Sequence, residues 1–249
     1  MVNFKDKSEQ YLIASIVLVL VLHNISMLSW ITYPFNLLAT WIHEMGHGLT
    51  AEMLGGNFNF LVINSDTSGY ANYSFFKNGH NFSKGIIASA GYMGTSIFGA
   101  TMLLFRKKDT FVRVFSFLLG VFMVFSLLIY IRSLTGWLFG VPFSALLIFV
   151  GLKNDNELNS FFYNFIASQI ALNAILDIKV LFSVGNSTGG VSGIQSLGSD
   201  ASAMSQLWFA PYWFWASLWL AVSVFLFTYS FLKPLSASKK EKETPQISN

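Results

Sequence analysis

The sequence contains no cysteine, only four histidines and five prolines, and very little charge. Without cysteine, disulfide staples, thiolate metal sites and thiol nucleophiles are all excluded. Charged residues make up 11% of the 249 positions, against about 25% in a soluble globular domain. So few charges cannot cover a water-facing surface, and a soluble fold is excluded. The formal net charge is only +3, and the lysines and arginines gather in short connectors and the C-terminal tail. They read as topology signals rather than a nucleic-acid footprint, so no nucleic-acid partner is expected.

What the sequence has instead is apolar length. Hydrophobic residues make up 53% and aromatics 17%, and several runs approach the roughly 20 residues that span a bilayer as helix. After the polar residues 1–10, span 1 is predicted at 11–32. Pro34 is expected to restart a helix, span 2, which Gly55-Gly56 ends. Period-two alternation on both sides of "SDTSG" predicts a β-hairpin over 57–76. Span 3 follows at 85–105, with Ala90/Gly94 and Thr95/Gly99 at the spacing that lets helix backbones approach. Span 4 is predicted at 111–131. The apolar stretch 137–152 carries Pro142 and is expected to be broken or re-entrant. Span 6 is predicted at 159–183, a Gly/Ser-rich loop at 184–206, and span 7 at 207–232, where Trp and Tyr read as interface anchors.

The fold class is therefore an all-α polytopic membrane protein of about six to seven transmembrane helices, with a short β-hairpin after the second. Residues 1–10 form a polar N-terminus, 11–233 a single transmembrane domain, and 234–249 a polar tail expected to be disordered. The basic clusters 106–113 and 233–242 both favour the cytoplasm, which with seven spans puts the N-terminus outside.

One stretch breaks the apolar pattern: "ATWIHEMGHGLTAEMLGG", residues 39–56. His43 and His47 are four apart, so on a helix both imidazoles project from one face and can bind one zinc ion. Glu44, one residue on, stands beside such a metal rather than on it, the place of a base for the water that the metal activates. Thr40 and Thr50 extend the polar stripe, and Gly46 and Gly48 leave room for close packing or substrate. Ionisable groups in a span need an interior partner or a metal to offset the loss of water. Later, Gln169, Asn173 and Asp177 recur every four residues and share a face. Asp177 is the carboxylate well inside an apolar span apart from Glu44. Two histidines and one carboxylate form an expected catalytic zinc set, which makes Asp177 the expected third ligand, with pairing to Lys or Ser as the structural alternative. Glu52 is turned off the His face, and Asp66, Asp155, Glu157 and Asp200 read as loop residues. His23 reads as a bundle residue and His80 as a solvated loop residue.

At this point the chain resembles the site-2 protease group of intramembrane zinc metalloproteases, in particular its small bacterial membrane-peptidase branch. The residues that carry the resemblance are "HEMGH" at 43–47, the hairpin after it, "GYMG" at 91–94, "NAILD" at 173–177 and "SDASAMSQLWFAPYWFWASLW" at 199–219. It departs from the broader group in having no proline between Asn173 and Asp177, Ile178 in place of a glycine, and no PDZ insertion. The resemblance implies proteolysis within the bilayer of a bacterial cytoplasmic membrane, acting on the transmembrane segment of another protein. It implies that His43, His47 and Asp177 hold Zn2+, that Glu44 is the general base, and that Asn173 binds the scissile peptide or its oxyanion. Two rival classes share the pattern: a membrane zinc or ion transporter, which has no need of Glu44 beside the ligands, and a catalytically silent interaction protein.

Overall fold

In a computed structural model, the described residues are 7–75, 81–153, 155–183 and 199–233, with the backbone alone described for 179–183. His80, the run 184–198 of the Gly/Ser-rich loop and the tail 234–249 lie outside them. Eight α-helices and a two-stranded antiparallel sheet make up the described chain: α1 Lys7–Asn24, α2 Ser29–Met53, β1 Gly56–Ile63, β2 Gly69–Phe75, α3 Asn81–Phe105, α4 Asp109–Ile129, α5 Leu134–Leu152, α6 Asn156–Ser183, α7 Asp200–Leu207 and α8 Tyr212–Leu232. Helices α3, α4, α5, α6 and α8 are each long and apolar enough to cross a membrane, and α1 with α2 makes a sixth candidate crossing. The protein is an all-α polytopic membrane protein with a β-hairpin.

The seven-span count fails at one place. Helix α1 ends where Asn24 turns its side-chain amide onto the Leu20 carbonyl at 2.8 Å, competing with the backbone for that acceptor. After a 3-10 turn, Ser26–Leu28, the chain continues as α2 at 110° to α1. Helix α2 thus does not simply return along α1. Pro34, expected to start that helix, lies within it, and Pro142 lies inside one continuous α5 rather than breaking it. At the far end of α2 the chain reverses through Gly55, whose φ of +82° only glycine adopts freely.

Two ends of the bundle are defined by contacts between distant residues. At one end Arg106 donates to both Glu9 carboxylate oxygens and to the carbonyls of Ser230 and Phe231. Lys107 adds a 2.7 Å contact to Glu9, and Lys7 pairs with Glu157. These contacts gather the start of α1, the end of α3, the start of α6 and the end of α8. The two described termini therefore share one end, the basic end, contrary to the seven-span expectation. At the other end lie the hairpin, the end of α4 and the starts of α3, α5 and α8.

The sheet belongs to that second end. Its register pairs Phe58 with Tyr73, Leu61 with Ala71 and Ile63 with Gly69, with a shift between Phe58 and Phe60. The turn is closed by Asn64 N–H to the Ser68 carbonyl at 2.8 Å. Asp66 accepts from the Ser68 hydroxyl and amide, which hold its carboxyl below the usual carboxylate range. Leu61 N–H donates to the Tyr130 carbonyl and Arg132 N–H to the Leu61 carbonyl, so the outer edge of β1 is occupied by the segment that follows α4.

Small residues set the helix spacing. A side chain at Gly151 would meet Phe117 of α4, one at Gly99 would meet Ala171 of α6, and one at Gly46 would meet the Ala90 carbonyl at 2.7 Å. Facing outward, Leu118, Phe125, Leu138, Phe149 and Phe225 are exposed. On a soluble protein such a belt would drive aggregation, whereas here it faces lipid.

Candidate metal centre

Helix α2 carries Asn36, Thr40, His43, Glu44 and His47 along one stripe, with spacings of three and four residues. The hairpin lies beside that stripe. Thr40 donates to the Thr67 carbonyl at 2.6 Å, and Glu44 accepts from the Ala71 backbone N–H. A Cβ at Gly69 would fall 2.8 Å from Thr40 and 3.1 Å from Glu44 Cγ, so only a glycine strand end lets β2 lie this close. Because Leu61 points its amide and carbonyl away from β2, its partner Ala71 must point its own away from β1. The open edge of β2 therefore runs past Glu44.

The two imidazoles meet a carboxylate that the apolar spans do not supply. His47 Nε2 lies 3.0 Å from His43 Nε2. Asp200 Oδ2 lies 3.1 Å from His43 Nε2 and 3.2 Å from His47 Nε2. His47 Nδ1–H donates to the Ile87 carbonyl at 2.6 Å, which fixes the ring and turns the Nε2 lone pair toward the other two. His47 and Asp200 are almost fully enclosed, while His43 keeps 20% of its side chain exposed. Among the described residues, His43, His47 and Asp200 form a group that could hold a metal ion.

Two further residues shape this group. A Cβ at Gly91 would stand 2.4 Å from His43 Nε2 and 2.5 Å from His47 Nε2, so the absent side chain leaves the space where the nitrogens converge. Tyr92 sets its ring edge-on to His43 at 4.7 Å and stacks on Trp219 at 5.1 Å. Both belong to the "GYMG" stretch. Trp215 and Trp219, read as interface anchors, are buried beneath this site, whereas Trp213 is exposed.

Asp200 reaches the histidines on α7, and local sequence explains how. Ser199 caps that helix by accepting from the Ser202 N–H, a typical N-terminal cap. Ala201, Ala203 and Met204 bury themselves in a cluster with Ile87, Ala88, Trp215 and Ala216. The small alanines let α7 lie against α3, which leaves Asp200 facing α2. It is the first residue of a buried helix, not a loop residue.

Asp177, the expected third ligand, is not in the group. It sits on α6 with its side chain exposed, close enough to the His43 imidazole for an electrostatic interaction. Asn173 donates to Asn36 Oδ1 at 3.1 Å, tying α6 to α2 at a point seven residues, or about 10 Å, along the helix from His43. Gln169 pairs with His23 at 3.1 Å, which removes His23 from the site. The face of Gln169, Asn173 and Asp177 thus runs beside the α2 stripe, with its carboxylate end near His43. Asp200 was missed because it follows a Gly/Ser-rich run. The signal that could have found it is "SDASAM", a cap serine and an acidic first residue leading small residues.

A family model described as Peptidase M50B-like matches residues 11–230, a range that contains every residue of this group. No curated protein and no solved structure matches the chain. With its candidate spans, its buried His/His/Asp group and this match, the chain belongs to the Peptidase M50B-like family, the site-2 protease family of membrane metallopeptidases.

Proposed function

We propose that the protein is an intramembrane zinc endopeptidase that hydrolyses peptide bonds in or near transmembrane segments of other membrane proteins. The observation that carries this reading is the spacing of the three converging atoms. Ligands on a tetrahedral zinc ion at about 2.0–2.1 Å stand about 3.3 Å apart. The three separations here are 3.0, 3.1 and 3.2 Å. The donors fit zinc, and we assign His43, His47 and Asp200 as its ligands. Asp177 is left as a carboxylate beside the site rather than on the metal.

Zinc supplies an acidified water and polarises the scissile carbonyl. The chain's own residues do the rest. Glu44 is placed to take a proton from the attacking water and return it to the leaving amine. The open edge of β2 offers backbone groups to an extended segment of substrate, with the outer edge of β1 already filled. Since that edge runs past Glu44, a strand paired there lies along the metal group. Asn173 bonds to Asn36 away from the histidines, so orientation of the bound peptide suits it better than an oxyanion role. A transporter would need neither Glu44 next to the ligands nor a strand edge running past it.

The test is zinc content per chain in detergent-purified protein, for wild type and Asp200→Ala. About one zinc in the wild type and none in Asp200→Ala is expected. A folded wild type that binds no zinc overturns the reading.

A further inference from the structure

The bundle places its basic residues and its metal group at opposite ends. At the basic end, among the described residues, lie Lys7, Lys107, Lys108, Arg113, Lys153 and Lys233, all in short connectors or first and last turns. The sequence past Lys233 continues with Lys239, Lys240 and Lys242. At the hairpin end the described basic residues are Lys84 and Arg132, with Lys77 and Lys179 in the adjoining sequence. Arg132 is also occupied locally, donating to the carbonyls of Ile129 and Ile131 that end α4. An excess of Lys and Arg in short connectors marks the cytoplasmic side.

The depth of the metal group follows from α3. Gly91, whose Cα borders both imidazoles, is ten residues from Asn81 and fourteen from Phe105, about 15 Å and 21 Å along the helix. Ile87, which anchors His47, is nearer still to the hairpin end. Asp200 arrives on α7, which leads directly into the start of α8 at that same end. The polar turn Asn64–Ser68 also sits there, with Tyr33 donating to the Ser65 carbonyl at 2.9 Å and Ser133 accepting from Ile63 N–H at 3.0 Å.

We infer that both ends of the chain face the cytoplasm and that the metal group opens toward the opposite, non-cytoplasmic face. If the group cleaves peptides as proposed above, its substrate is a membrane protein whose scissile bond lies in the non-cytoplasmic half of its span. That last step rests on the protease reading; the orientation rests on the charge distribution and the fold alone.

The cysteine-free chain makes the test direct. Single-cysteine variants Ser65→Cys, at the exposed hairpin turn, and Lys153→Cys, between α5 and α6, are expressed in intact cells and exposed to a membrane-impermeant maleimide. The expected result is labelling of Ser65→Cys before permeabilisation and of Lys153→Cys only after it. The reverse pattern, labelling of both from outside, or labelling of neither before permeabilisation overturns the inference. Zinc content of the same variants is read separately. The expected labelling in a protein without zinc would keep the orientation and remove the peptidase, while the reverse labelling with zinc bound would do the opposite.

Discussion

At the basic end Arg106 is enclosed completely, and its guanidinium donates to two carbonyls of α8, one of α3 and the Glu9 carboxylate. At the hairpin end His43, His47 and Asp200 bring two ring nitrogens and a carboxylate oxygen to one point. The first cluster pairs donors with acceptors and needs nothing from outside the chain. The second converges lone pairs that repel one another until a cation stands between them, and burial makes that repulsion costly. Buried charge alone does not mark a functional site in this bundle. The sign of the groups that converge does.

The comparison is broken most severely at Gly91. Gly91→Ala puts a methyl group against both imidazole nitrogens, and zinc content is expected to fall from about one per chain to none, measured by metal analysis of the purified, folded protein. Glu44→Gln leaves all three proposed ligands in place, so it should keep zinc while lowering turnover of a cleaved membrane substrate by about 10²–10⁴-fold. The basic end should respond in the other currency. Glu9→Gln leaves a buried guanidinium without its counter-charge and is expected to cost about 3–5 kcal/mol, read as a lower unfolding midpoint in detergent, with zinc content unchanged. Asp177→Asn sharpens the contrast further. It should retain zinc where Asp200→Ala loses it, and metal loss in Asp177→Asn would return Asp177 to the ligand set. The smallest effect is expected at the hairpin turn. The Asp66 carboxyl is held below its ordinary value, so its contribution is present above the unfolded pKa and fades as pH falls through the depressed one. Asp66→Ala should therefore speed amide exchange at Ser68 at neutral pH and not in strong acid.

Much of this architecture was legible because its signals are local. The spacing of His43, Glu44 and His47 reads as one helix face, and alternation about the 64–68 turn reads as a hairpin. Each needs fewer than twenty consecutive residues. Two features were not legible, for separate reasons. Hydropathy measures how long a helix is and not where it points, so the 110° bend after Asn24 was invisible and the N-terminus was assigned to the wrong end. The third acidic group was sought inside an apolar span, where Asp177 stands. Asp200 instead arrives on an eight-residue helix packed between α3 and α8, a placement set by tertiary packing of alanines and tryptophans. Pro142 misled in a third way: an apolar span tolerates an interior proline because neighbouring helices stabilise it.

The Arg106 cluster also imposes an order on how the chain is made. Its carbonyl partners, Ser230 and Phe231, are synthesised more than 120 residues after it. Until α8 enters the bilayer, the guanidinium has only Glu9, Lys107's neighbour, and the Leu103 carbonyl within reach among these partners. A nascent or truncated chain lacking α8 thus carries an incompletely solvated cation inside its own bundle. Closure of the last helix completes that solvation shell, so assembly of the finished protein is coupled to completion of its translation.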